Sequence, residues 1–334
     1  MTEHAIPLPP LRTDAVTVVS CGDGQFTAPT GVLFRSVMDH ADPNRFYDLI
    51  YLHNGVEPSL LEQLCSLADG KENISIRCCD IRPVFCPDGL QVGNRKDFSV
   101  MTFARLVIPD VLDGNYHRAL YLDGDMIALR DVAELFDSDL GGFPLGSSVD
   151  FGFLSSVFAD KAMNAYAKDV LGLEKPDDYF MAAVLLMDLD QIRKTHSVPA
   201  MLDIARSRAW LWHDQDVLNH LFRGKIQYFD PRWDVIIPDG GTIRMPAHWK
   251  NVHEQALASP YLFHFAGNHQ KPWKSCGSCY APEFWEIARR TPFYRNLLAR
   301  IVNQNPTYDR LYGAAPGGIR RVLRKLLPPP AESV

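Results

Sequence analysis

The sequence predicts an α/β fold, a sheet flanked by helices, and three observations predict it. Apolar, β-branched runs alternate with helical periodicity as βαβαβ over residues 15–78. A Leu- and Tyr-rich run ends abruptly in Asp123-Gly124-Asp125, as a buried strand ends at the rim of a sheet. Tyr179 to Leu189 is a second long apolar run and reads as another buried strand. At 334 residues the chain is long enough for one large α/β domain or two average ones. Its 46% hydrophobic and 22% charged residues suit a soluble globular protein with a full core. The net charge of −6 argues against nucleic acid as a partner. Seven cysteines, an odd number that includes the adjacent Cys78-Cys79, are no disulfide framework and fit a reducing cytoplasm. The first ten residues show neither a basic start nor a long apolar core, so no signal peptide is expected. No apolar run is long enough to cross a bilayer. The expectation is a soluble or peripheral cytoplasmic protein.

In order, residues 1–14 are proline-rich and read as a flexible leader. Residues 15–20 form the first strand, 21–26 a glycine-punctuated turn, and 29–40 a helix. The turn lacks both G-x-G-x-x-G and the Walker pattern, so it is no phosphate loop of those kinds. Asp23 and Phe26 in it read either as part of a plain turn with a core aromatic, or as a pair that reads and stacks on a base. A strand follows at 46–52, a helix at 57–68, a strand at 74–78, a loop at 82–97 and a helix at 99–108. Arg105 in that helix is either a surface charge or a group reaching an anion site at the strand ends. Beyond Asp125 come a short helix at 132–136, a strand at 143–149 ending in Asp150, a helix at 157–171 and a loop at 172–178. The strand 179–189 leads into helices up to 208, a helix opening at His213, and a strand at 225–229. Tyr261–Phe265 is a short apolar strand presenting His264, and the chain is helical from Pro282.

Several residues carry chemistry by type and position. Two carboxylates as close as Asp123 and Asp125 repel unless a cation neutralises them. A hard divalent ion, Mn²⁺ or Mg²⁺, is the natural partner, and such ions share their shell with substrate phosphates. Asp214 and Asp216 read either as first-turn acids of a helix or as site residues. His264 reads either as a hydrogen-bonded core residue or as part of a site. Gly267 followed by Lys271 suits anion binding, because glycine lets phosphate approach the backbone and lysine supplies charge. Cys276-Gly277-Ser278-Cys279 has zinc spacing but no second pair, and is taken as incidental. From Arg310 to Pro330 the chain has no acidic residue, and 317–327 is basic and amphipathic. That segment is either an ordinary terminal helix or a surface that docks on an anionic membrane.

Taken together and in order, these signals resemble glycosyltransferase family 8. The series is Asp23 with Phe26, Thr102-Phe103-Ala104-Arg105-Leu106, Tyr121-Leu122-Asp123-Gly124-Asp125, Asp150, Phe180, Asp214-Gln215-Asp216, and His264-Phe265 with Lys271-Pro272-Trp273. The resemblance spans about residues 15–290 and includes bacterial lipopolysaccharide galactosyl- and glucosyltransferases and the eukaryotic glycogenins. It implies a GT-A fold, a mixed sheet flanked by helices, with a small helical basic C-terminal extension at 291–334. It also implies a metal-dependent UDP-sugar site and hexose transfer, galactose or glucose, with retention of configuration. The acceptor implied is a saccharide or lipid-linked saccharide, as in lipopolysaccharide or surface polysaccharide synthesis.

Carried over by position, Asp123, Asp125 and His264 match metal ligands. Asp23 and Phe26 match the uracil-binding pair, Arg105 and Asp150 fall at donor-sugar positions, and Gly267 and Lys271 match the diphosphate loop. Gln215 matches the residue nearest the reacting anomeric face, beside the sugar-binding Asp214. Two departures stand out. Phe180-Met181-Ala182-Ala183 replaces Phe-Asn-x-Gly, so an amide that would bond the donor sugar is a thioether, and the Gly267–Lys271 loop is one residue longer. Loss of such a contact changes sugar choice or weakens binding. The alternative they leave is a catalytically weak relative that binds UDP-sugar or a partner.

Overall fold

A computed structural model describes residues 6–92, 99–237, 244–275 and 278–303. Its main sheet is built from β1 (Val16–Cys21), β2 (Tyr47–His53), β3 (Ile74–Asp80), β4 (Arg118–Leu122), β6 (Leu145–Ser147), β7 (Val184–Asp188) and β8 (Ile226–Tyr228). A separate ribbon pairs β5 (Met126–Ala128) with β9 (Leu262–His264). Sheet order is β3-β2-β1-β4-β7-β6-β8. Strand β7 runs antiparallel to both its neighbours, and the remaining pairings are parallel. The expected mixed α/β sheet with flanking helices is what the chain forms.

The reason lies in the strands. All residues of β1 and β2 are buried, so both sheet faces need cover. One face is packed through Val16, Val18 and Leu49 against the helix Thr27–His40 and its neighbours. The other is packed through Val19, Ile50 and Tyr121 against Phe103, Leu106 and the helix Val198–Arg206. The chain moves outward from β1 to β2 to β3, then returns to place β4 on the other side of β1. Such a reversal of strand order opens a crevice beyond the carboxyl ends of the two strands. Here those ends lead into Gly22–Phe26 and Asp123–Asp125.

Several elements differ from the sequence expectation, each with a local cause. The helix expected at 99–108 is a 3₁₀ coil, Val100–Val107. At three residues per turn, Thr102 and Arg105 lie one above the other, and both reach the same carboxylate. The helix expected at 157–171 starts earlier, at Phe151, because Asp150 accepts the Phe153 N–H at 2.9 Å as its cap. It breaks at Asp160 and ends in a π turn, Tyr166–Val170. The strand expected from 179 begins at Val184. Before it, side-chain amides replace ladder partners: Asn219 bonds both the N–H and C=O of Phe180 at 2.9 Å. Within the segment read as a leader, Leu8 is buried and bonds Val111 and Asp113 through its backbone. The basic tail 317–327 and Cys276 lie outside the described residues.

Asp48 of β2 and Arg77 of β3 are an ion pair inside the fold, 0% and 4% exposed. Arg77 Nε donates to Asp48 at 3.0 Å, Tyr116 donates to the same carboxylate at 3.0 Å, and Arg77 also holds the Pro9 carbonyl at 2.8 Å. Asp48→Ala strands a buried guanidinium. It is expected to lower unfolding free energy by about 3–5 kcal/mol in a denaturant titration.

Candidate active site

The crevice at the β1/β4 reversal is a cavity of about 630 Å³, a size typical of small-molecule sites. Asp23, Phe26, Arg105, Asp123, Asp125, Asp150, Asp214, Gln215, His264, Gly267 and Lys271 all line it. These eleven candidate site residues are therefore brought to one place, whereas Asp216 and Phe180 of the same motifs lie outside the lining.

The two carboxylates after β4 point to different partners. Asp123 is held by its N–H on the Ala183 carbonyl at 2.9 Å, and its carboxylate takes the Tyr121 hydroxyl at 2.6 Å and Arg105 Nη2 at 2.9 Å. Asp125 is buried and ion-paired with Lys271, with His264 Nε2 at 3.4 Å. Burial opposes its charge, but Lys271 and His264 outweigh that and hold its pKa below the usual carboxylate range. Gly124 between them is needed for close approach, since a Cβ there would stand 2.3 Å from Thr30 Oγ1.

His264 arrives from the far end of the chain by strand register. In the β5–β9 ribbon, Met126 faces His264, and the Phe265 N–H bonds the Asp125 carbonyl at 2.9 Å. Behind the imidazole, Asp234 Oδ1 lies 3.3 Å from Nδ1. Asp234 is 1% exposed, and among the described residues its oxygens take no hydrogen bond. Burial lowers the His264 pKa, but the two flanking carboxylates prevail and push it up to about 10. Sequence reading missed Asp234, which sits in an irregular stretch with no local pattern. A carboxylate behind an imidazole is the usual support for a metal-ligating histidine.

The ligating atoms of Asp123, Asp125 and His264 lie within 4.8 Å of one another. Two carboxylates and an imidazole with a carboxylate behind it fit a divalent cation. The ammonium drawn to Asp125 shows the same demand for positive charge.

Arg105 is buried and spans the cavity floor. Its Nε meets Asp214 at 2.8 Å and its guanidinium lies over Tyr121, 4.4 Å from the ring centre. It also donates to the Ala182 carbonyl, while Thr102 donates to Asp214. Burial raises the Asp214 pKa to about 6 despite Arg105. Asp216 is a different case. It accepts the Trp212 N–H and two tyrosine hydroxyls, Tyr166 and Tyr179, at 2.6–2.7 Å. So of the two acids that opened the helix His213–Leu221, Asp216 caps it and Asp214 faces the cavity. The helix begins at His213 with φ +52, a left-handed conformation uncommon outside glycine.

Gln215 is fixed at both ends. Its carbonyl accepts the Ala182 N–H at 2.9 Å, and its NH₂ donates to Asp150 at 2.7 Å and to Tyr179 at 3.2 Å. Asp150 is 5% exposed, and burial pushes its pKa up to about 6 against the bonds from Phe153 and Gln215. Across the cavity, Asp23 Oδ1 accepts the N–H groups of Gln25 and Phe26 at 2.9 and 3.3 Å. Phe26 is half-buried, with the Lys271 ammonium 5.5 Å from its ring centre. Gly267, at φ +78, turns the loop that carries Lys271.

A parallel sheet with one reversed strand, and paired carboxylates at its switch point, define an α/β fold with a ligand crevice at the strand ends. The chain belongs to glycosyl transferase family 8, whose match covers residues 17–277. General stress protein A of Bacillus subtilis (strain 168) is 22% identical over 273 residues, 79% of this chain and 90% of that protein. Among solved structures, the WbbM bifunctional glycosyltransferase superposes with a TM-score of 0.76 at 25% identity. It covers 87% of this chain and 52% of its own. The galactosyltransferase LgtC, solved with donor and acceptor sugar analogs, gives 0.67 at 24% identity over 83% and 96% of the two chains. The fold is therefore the GT-A fold of this family.

The raised Asp150 pKa has a sign. Its folded value, about 6, exceeds its ordinary 3.8, so the unfolded chain loses this proton first. The group's stabilising effect is complete below pH 3.8 and is lost as pH rises to about 6. Asp150→Asn removes that titration. Unfolding free energy measured at pH 4 and pH 7 is expected to fall less in the variant than in wild type, by up to ~3 kcal/mol.

Proposed function

We propose that the protein is a metal-dependent retaining glycosyltransferase that moves a hexose from a UDP-sugar to a saccharide acceptor. The observation that carries this reading is the Asp123, Asp125 and His264 set, with ligating atoms within 4.8 Å, at the strand reversal. Those three residues would hold Mn²⁺ or Mg²⁺, which supplies positive charge to the diphosphate leaving group. Lys271 adds a second positive charge at the same end of the cavity. Asp23 and Phe26 supply an acceptor group and a stacking face for uracil at the end of β1. Arg105 fixes Asp123 and Asp214 relative to one another, which sets the distance between diphosphate and sugar. Asp214 and the Gln215 carbonyl are the electron-rich groups that face the developing positive charge at the anomeric carbon.

Galactose or glucose as donor, and a lipopolysaccharide or surface polysaccharide acceptor, follow from the family resemblance. Similarity to a galactosyltransferase supports the same direction. Among the described residues no helix is long and apolar enough to cross a membrane. The acid-free segment from Arg310 to Pro330 supports peripheral docking on an anionic surface where lipid-linked acceptors are made.

A UDP-release assay with Mn²⁺ and a panel of UDP-sugars tests the reading. Wild type is expected to hydrolyse a donor slowly without acceptor. Asp125→Ala is expected to abolish Mn²⁺-dependent UDP binding in calorimetry while leaving the melting transition cooperative. UDP affinity unchanged in the presence of Mn²⁺ would remove the metal assignment. A binding-only protein would bind UDP with Mn²⁺ yet release none from any donor, with or without saccharide acceptors.

Deleting residues 316–334 is expected to release the protein from phosphatidylserine vesicles in a sedimentation assay, with UDP-sugar hydrolysis retained. Persistent vesicle binding would make the tail an ordinary helix.

A further inference from the structure

One stretch of the cavity lining is a cluster of apolar side chains. Met181 and Ala183 stand there beside Ile236, with Phe151 behind them, in a buried apolar cluster that Ala266 and Trp249 extend. Met181, Ala183 and Ile236 are 7%, 2% and 4% exposed. The wall adjoins the reacting end of the site. A Cβ built on Gly152 would lie 3.1 Å from both Ile236 Cδ1 and Asp150 Oδ1, so the apolar branch and the carboxylate flank one point.

Most backbone groups of residues 181–183 are already engaged. The Met181 N–H is taken by the Ser148 carbonyl at 2.9 Å, and the Met181 carbonyl by Ser147 Oγ. Gln215 takes the Ala182 N–H, Arg105 takes the Ala182 carbonyl, and the Asp123 N–H takes that of Ala183. A sugar hydroxyl turned to Met181 would give up water and find these backbone groups taken, with Asp150 at the edge of the wall as the nearest side-chain acceptor. A methyl group there gains burial and loses nothing.

We infer that the donor is a hexose derivative whose substituent facing Met181 and Ile236 ends in a methyl group rather than a hydroxyl. This rests on the UDP-sugar reading above and narrows its galactose or glucose to methyl-bearing relatives. Two substituents share that chemistry, an acetamido group and the C6 methyl of a 6-deoxy sugar. Met181 is the specificity-determining residue.

The test is kcat/KM for UDP release with Mn²⁺, measured on UDP-glucose and UDP-galactose, their N-acetylated forms, and a UDP-6-deoxyhexose. At least one methyl-bearing donor is expected to exceed its plain hexose by about tenfold or more, and the arm that does so identifies the substituent. Met181→Asn restores a hydrogen-bonding amide and is expected to reduce that ratio by about tenfold, with UDP affinity unchanged. Met181→Leu keeps the wall apolar and is expected to retain the ratio, which separates the wall's chemistry from disturbed packing. Preference for plain hexose in wild type, or a ratio insensitive to Met181→Asn, overturns the inference and leaves the transferase reading intact. Failure of every donor, with and without saccharide acceptors, while UDP still binds overturns both the transferase reading and this inference.

Discussion

One buried guanidinium holds the site together. Arg105 meets Asp123 at the end of β4, Asp214 at the start of the helix His213–Leu221, and the Ala182 carbonyl ahead of β7. Three elements far apart in sequence are thus tied to one rigid fork. A lysine could not do this, because a point charge on a flexible stem does not fix the angle between two carboxylates. The 3₁₀ coil that carries Arg105 belongs to the same arrangement, for it brings Thr102 onto the same Asp214 carboxylate. Two acids facing one cavity would otherwise repel and draw in water or protons. With the guanidinium between them, Asp123 stays available at the rim and Asp214 stays buried, each in a set orientation.

The first four strands were legible because burial leaves a clear mark, but their order in the sheet was not. Continuous apolar runs predicted β1 to β4, and the acids after β4 marked the crevice before any geometry was known. What was not legible depended on partners distant in sequence. The strand expected from Tyr179 gives way to loop as far as Ala183 because amides of Asn219 and Gln215 take its backbone groups. Nothing within 179–189 records that. Asp214 and Asp216 look alike in a one-dimensional pattern, yet one pairs with Arg105 and the other takes two tyrosine hydroxyls and a backbone N–H. Asp234 carried no signal at all. Its place behind His264 is set by pairing of residue 235 with residue 263, a relation between two short segments with no periodicity of their own.

A departure from a motif is visible in sequence, but its consequence depends on what surrounds it. The structure shows Met181 among other apolar side chains, over a backbone most of whose hydrogen-bonding groups are already engaged. A lone substitution in a polar pocket would leave a hole in a hydrogen-bond network. Here the neighbours are apolar too, so the wall is consistent with itself, and consistency across neighbouring positions argues for a changed preference over a damaged site.

The two carboxylates of Asp123-Gly124-Asp125 differ in what neutralises them, and that difference suits a site that must take up charge and let it go. Asp123 is paired with a guanidinium that is 6% exposed and bound on several sides. Exchanging that partner would expose a buried cation, so the pair is permanent. Asp125 is paired with Lys271, a single ammonium on a loop that turns at Gly267. An ammonium has no fixed fork to satisfy and can move to another anion within reach of its stem. His264 completes the contrast, since Asp234 behind it balances its charge when it is protonated and orients it when it is not. One acid is therefore part of the scaffold, and the other is the adjustable end of the site.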